Sequence, residues 1–137
     1  MEVKEIINEA VRMGACEASG KASDWRSLVW LFFSPQGREF CREHNYPSLE
    51  AFREMKRKGV ARFGVYVENG MDVTNEDAAL IGEGESVLRY SGTDRPYKVI
   101  LMHGAKVRIH AGMYAIVKVE NISGEYEVFN DGTATIL

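Results

Sequence analysis

The chain has 137 residues, 45% hydrophobic and 27% charged, values that exclude a disordered tail or a fibre. Its net charge of −3 is uneven: residues 1–63 carry 11 Lys/Arg against 9 Asp/Glu, and residues 64–137 carry 6 against 11. The acidic second half is a poor general surface for nucleic acid, because a polyanion needs phosphate-neutralising cations.

The first half reads as helical. Val3, Ile6, Ile7, Ala10 and Val11 recur at helical spacing, with Glu2, Glu5 and Glu9 toward the start and on the other side. GACEASG, residues 14–20, is small and loose and ends that helix. Ser23 or Asp24 is a suitable N-cap for a second helix carrying Trp25, Leu28, Val29, Leu31, Phe32 and Phe33. Apolar over most of its circumference, this helix is expected in the centre of the unit. Ser34-Pro35 launches a third helix through His44, with Phe40 and Cys41 apolar. Pro47-Ser48 reads as the same device, opening a fourth helix with Leu49, Phe52 and Met55 on one side. Lys56, Arg57 and Lys58 occupy its last turn, where cations suit the dipole, and Gly59 stops it.

After Gly59 the apolar period falls to two, as in Val65 and Val67 or Val107, Ile109 and Ala111. Glycines recur every 20 residues in two series: Gly64, Gly84, Gly104 and Gly124, then Gly92, Gly112 and Gly132. A turn residue at a fixed phase is the signature of a solenoid. The same shift superposes Val67, Val87 and Val107, then Ala79, Val99 and Val119, then Ile81 and Leu101, then Tyr97, Val117 and Leu137; Lys98 and Lys118 superpose on the outward phase. Glu127 falls in the valine column with Val128 and Phe129 displaced, a slip that either is absorbed by a β-bulge or marks the glycine spacing as a partly misleading guide. The expected fold is α+β: a helical unit over residues 1–60 and a β-solenoid of about 20 residues per coil over 61–137. An antiparallel β-meander or sandwich is the alternative.

LFFSPQGREFCREHNYPSLEAFREM and YKVILMHGAKVRIHAGMYAIVKVENISG resemble small uncharacterised proteins of prophages and mobile elements in gut anaerobes, over most of the chain. The resemblance implies a phage or mobile-element accessory role. It brings no activity, cofactor or catalytic residue.

The constellations that suggest chemistry are weak. His103 and His110, with Glu120 or Asp131, lack any short metal-ligand spacing and read as exposed or corner histidines. Cys41 and His44 stand at i, i+3, but no third orienting group or oxyanion site accompanies them. Gly82-Glu83-Gly84-Glu85 carries two glutamates, which repel phosphate, and Asp72, Asn75, Glu76 and Asp77 lack calcium-loop spacing. No catalytic, cofactor-binding or metal-binding residue is assigned, and the protein is not read as an enzyme. Cys16 and Cys41 are expected as reduced thiols, a bridge between them being the alternative. MEVKEIINEA has no apolar core of signal-peptide length, and Leu28 to Phe33 is too short to cross a bilayer. A cytoplasmic protein away from membranes is expected.

Two function classes remain. The apolar final segment, Ala134, Ile136 and Leu137, is expected to bind a partner, either a second copy or another protein, making the chain a self-associating or docking module. The alternative is a nucleic-acid-binding accessory protein using Arg53, Lys56, Arg57, Lys58 and Arg62. Tyr90, Tyr97, Tyr114 and Tyr126 read as strand residues, with a binding surface as the alternative.

Overall fold

The structure, a computed structural model, describes residues 2–14 and 23–137. Residues 15–20 of the predicted GACEASG breaker, and Cys16 with them, lie outside the described residues. The chain divides into two compact units, Met1–Phe63 and Gly64–Leu137.

In the first unit, α1 (Val3–Arg12) buries Val3, Ile6, Ile7 and Ala10, the predicted apolar stripe, and the Glu2 N–H donates to Glu5 Oε1 at 3.3 Å. Asp24, rather than Ser23, caps α2 (Trp25–Phe33), accepting from the Ser27 N–H at 2.8 Å. This helix is not buried all round: Leu28, Val29 and Phe33 are buried, but Trp30 is 75% exposed. Ser34 caps α3 (Pro35–His44) with proline at the first helical position, as the sequence predicts. Ser48 caps α4 (Leu49–Arg57) through the Ala51 N–H at 3.2 Å. The device is not a repeat, because Pro47 precedes its cap whereas Pro35 follows one. Phe52 is 1% exposed and meets the Phe32 ring at 5.9 Å. The Tyr46 hydroxyl donates to Ile6 O at 3.0 Å, tying the α3–α4 connection to α1. A 3-10 turn, Val60–Phe63, ends the unit.

The second unit has nine strands: β1 (Val65–Val67), β2 (Asp72–Thr74), β3 (Ala78–Ile81), β4 (Glu85–Ser91), β5 (Tyr97–Met102), β6 (Lys106–Gly112), β7 (Ile116–Asn121), β8 (Glu125–Asn130) and β9 (Thr135–Ile136). They form two sheets, ordered β1-β3-β5-β7-β9 and β2-β4-β6-β8. Successive strands alternate between sheets, and each pairs in parallel with the strand two before it. The parallel pairing rules out the antiparallel meander.

The core lies between the sheets. Val99, Leu101 and Val117 from one sheet join Leu88, Val107 and Ile109 from the other, with Tyr90 and Tyr97 stacked at 4.9 Å. Those two tyrosines are 2% and 4% exposed, interior residues rather than surface aromatics. β5 is not half-buried as the two-residue period of the strand region predicts: besides Val99 and Leu101, Ile100 and Met102 on the phase of Lys98 are buried.

Register corrects the column assignments. The step is 21 residues from Ala78 to Val99 and from Glu85 to Lys106, 20 from Tyr97 to Val117, and 19 from Lys106 to Glu125 and from Ile116 to Thr135. The first step is shorter, 14 residues from Val65 to Ala79. Val99–Val119, Tyr97–Val117 and Lys98–Lys118 therefore pair as expected. Val67 instead lies beside Ile81, Val87 beside Arg108, Val107 beside Ser86 and Tyr126, Ala79 beside Ile100, and Val117 beside Ile136. Likewise Ile81 pairs with Met102 rather than Leu101. Val128 falls on Ile109, so the 19-residue step accounts for the slip and no bulge is needed.

The glycines do not stack on one another. Gly84 aligns with Ala105 and Gly124, because the Lys106 N–H donates to Gly84 O and the Glu125 N–H to Ala105 O. Gly64 precedes the other sheet, its carbonyl accepting from the Ala79 N–H at 2.8 Å. The glycines sit at corners, where one residue more or less is absorbed.

Candidate functional site

The sheet containing β8 presents rows of outward side chains set by its register. Glu85, Lys106 and Glu125 form one row; Asp72, Val87, Arg108 and Glu127 a second; Thr74, Arg89, His110 and Phe129 a third. Charge alternates from layer to layer in the first, and Arg108 precedes Glu127 in the second. In the third, the His110 and Phe129 rings stack at 4.9 Å with 15° between planes. Arg89 reaches back to Asp72 at 3.4 Å.

The rows end at β8, which pairs only with β6 and is exposed along its length. The Glu125 and Asp131 N–H groups donate to Ala105 O and Ala111 O, at 2.8 and 3.1 Å. In a parallel ladder alternate residues turn their peptide groups to alternate sides. The N–H and C=O of Tyr126 and Val128 consequently face away from β6. Their side chains continue the inner columns of Val107 and Ile109. Val107 and Ile109 are 4% and 0% exposed, whereas Tyr126 and Val128 are 40% and 36% exposed. Beside them, β9 uses the Thr135 and Leu137 N–H groups to reach Ala115 O and Val117 O, both at 2.9 Å, which turns Ile136 outward in the same way. The edge thus offers unpaired strand groups and uncovered apolar ends of two columns.

Small polar side chains bind corner to corner between layers. Ser86 Oγ accepts from the Met71 N–H, Ser123 Oγ from His103, Thr133 Oγ1 from Tyr114, and Asn75 Oδ1 from Ser91. Asp77 accepts from the Lys98 N–H at 2.9 Å and pairs with Arg95 at 3.1 Å. Asp72, Asn75 and Asp77, which in sequence resemble a loose acidic loop, thus bond to the neighbouring layer. Asp131 accepts from the hydroxyl and N–H of Thr133, which hold its carboxyl below the usual range. Burial, with Asp77 nearby, pushes the Tyr90 phenol up; its hydroxyl donates to Glu76 O at 2.8 Å.

Of the expected partner-binding residues, Ala134 and Ile136 are partly buried against the inter-sheet core, and Leu137 is 62% exposed. A rigid 20-residue shift misses Tyr126, Val128 and Phe129, which are 40%, 36% and 48% exposed, because it puts Glu127 where Tyr126 faces Val107. Their own alternation, Glu-Tyr-Glu-Val-Phe, carries the signal.

The five basic residues of the nucleic-acid alternative are all exposed. Lys58 Nζ pairs with Glu2 at 3.1 Å, and the Arg62 guanidinium lies 4.9 Å from the Phe63 ring centroid. Lys56 and Arg57 are exposed in the last turn of α4, as is Arg53 in its middle. Cys41 is buried, while His44 is exposed and its ring lies 4.5 Å from that of Phe40. His103 lies in the corner between β5 and β6 and His110 within β6, and among the described residues no group of three or more His, Cys, Asp or Glu is placed to hold a metal ion. No helix among the described residues is long and apolar enough to cross a membrane. No known family, curated protein or solved structure matches the chain.

Proposed function

We propose that residues 64–137 form a short β-solenoid, and that the chain is a non-enzymatic interaction module whose β8–β9 edge takes up an extended strand from another polypeptide. The observation that carries this reading is the uncovered last layer, in which Tyr126 and Val128 expose both side chain and outward peptide groups. A strand that adds there satisfies the open donors and acceptors and extends the inner apolar columns, the chemistry of β-augmentation. A second copy is disfavoured. A two-fold centred on Val128 places Glu125 opposite the copy's Asp131, and one centred on Glu127 opposes two glutamates; like charges facing one another destabilise a strand pair. An accessory role in a phage or mobile element, implied by the sequence resemblance, accords with a module that captures a partner strand.

The test is selection of displayed random heptapeptides on immobilised full-length protein, with Val128→Lys as counter-target. An inward-pointing charge is a device that natural edges use against strand addition. Enrichment of sequences with alternating apolar residues, lost on Val128→Lys with its circular dichroism unchanged, supports the proposal. No enrichment, or equal binding to the variant, overturns it. Sedimentation equilibrium of the wild type identifies the occupant independently: a dimer dissolved by Val128→Lys would replace the foreign strand with a copy of this chain.

A further inference from the structure

We infer that the strand accepted by β8 runs parallel to it and carries the pattern cation, apolar, cation, apolar, ring, starting opposite Glu125. This rests on the strand-addition reading and specifies its partner. β8 has two edges, and its side chains lie midway between whatever occupies them. The filled edge holds β6, in which Lys106 faces Glu125, Val107 faces Tyr126, Arg108 faces Glu127, Ile109 faces Val128 and His110 faces Phe129. The open edge shows the same side chains at the same spacing. Two glutamates two residues apart on the outward face call for cations at those positions, as cross-strand opposite charges stabilise a pair. The inner positions continue columns in which Val107 and Ile109 are the adjoining buried members, with Leu88 and Ser86 one layer further back, so they call for apolar side chains next to the edge. Phe129, 48% exposed, already stacks on His110 through one face and leaves the other for a further ring.

The occupant is not a second copy. The Lys-Val-Arg-Ile-His segment of this chain is β6, which is paired with β4 on one side and β8 on the other.

The test is fluorescence anisotropy with the labelled heptapeptides TKVRIHT, TEVEIHT and TVKIRHT, the last keeping the composition of the first with the alternation shifted by one. TKVRIHT is expected to bind wild-type protein roughly tenfold more tightly than TEVEIHT, the product of two cross-strand charge pairs. TVKIRHT is expected to bind more weakly than TKVRIHT: in the same register it turns its cations toward the apolar columns, and slipped by one residue it restores the charge pairs but sets His opposite Val128. Glu125→Gln/Glu127→Gln is expected to abolish the preference, and TKVRIHT methylated on alternate backbone nitrogens, on the edge facing β8, to lose binding without any change in the protein. Equal affinity for TKVRIHT and TEVEIHT, or a preference that survives the double glutamine variant, overturns the inferred pattern while leaving strand addition standing. Failure of all three peptides to bind, alongside failure of the random selection, overturns strand addition itself.

Discussion

At the scale of the single residue, Tyr46 and Gly124 are tied to measurable consequences. Burial, with Glu9 nearby, pushes the Tyr46 phenol up to about 12, above the ordinary tyrosine value of about 10. A folded-state pKa above the unfolded one contributes stability that is complete below the unfolded value and is lost as pH rises through the folded value. Stability is therefore expected to be flat from neutral pH to about 10 as far as this group is concerned, and to fall between about 10 and 12. Tyr46→Phe removes the bond to Ile6 O and is expected to lower stability at pH 7 by about 1 kcal/mol, while making the alkaline fall shallower. Urea titrations of both proteins at pH 7 and pH 11 check this; an unchanged alkaline slope in Tyr46→Phe would assign the loss elsewhere, Tyr90 being the next candidate. At Gly124 the constraint is space. A Cβ there would sit 2.7 Å from Ala105 O and 3.0 Å from Leu101 Cβ. Gly124→Ala is expected to cost about 1–3 kcal/mol through overpacking. Gly104 meets no atom within 4 Å but holds φ at +89°, so Gly104→Ala is expected to cost about 1–2 kcal/mol through backbone strain alone. Replacement by asparagine, which tolerates positive φ, should recover part of the loss at Gly104 and none at Gly124.

At the scale of the element, the helices are legible because their ends are written in local chemistry. A serine or aspartate cap needs only the N–H groups two or three residues on, so Asp24, Ser34 and Ser48 declare their helices without reference to tertiary structure. Ser48→Ala is expected to lower stability by about 1 kcal/mol, read by urea unfolding, with Ser48→Asp retaining most of it. Packing is less legible. Trp30 lies within an apolar run yet faces solvent, since periodicity tells which residues share a face and not which face is covered. The strands are legible by alternation, but their register is not. A one-residue change of step moves every side chain to the other face. The residues that set the step, at corners such as Gly84, Ala105 and Gly124, are chosen for φ or for clearance rather than for period. For that reason a fixed period places β8 one position out of phase and hides Tyr126 and Val128 as members of the inner columns.

At the scale of the whole strand unit, stability is nearest-neighbour in character, because each layer pairs only with the layers before and after it. The three residues Leu88, Ile109 and Val128 occupy consecutive layers of one inner column. Ile109 lies between the other two and is 0% exposed; Val128 has a neighbour on one side and is 36% exposed. Ile109→Ala should cost about 2–5 kcal/mol, the range for removing a fully enclosed aliphatic side chain. Val128→Ala removes less buried surface and opens no enclosed cavity, so its cost should stay below about 1 kcal/mol. Amide exchange should show the same gradient, slow at β5 and β6 and fast at the outward N–H groups of Tyr126 and Val128. Urea unfolding and amide exchange on the isolated wild-type protein and the two variants measure both quantities. If Val128→Ala costs as much as Ile109→Ala, or if the Val128 amide is as slow as that of Ile109, then the edge is covered in the isolated protein by a copy of itself. The proposed foreign strand would then have no free edge to join.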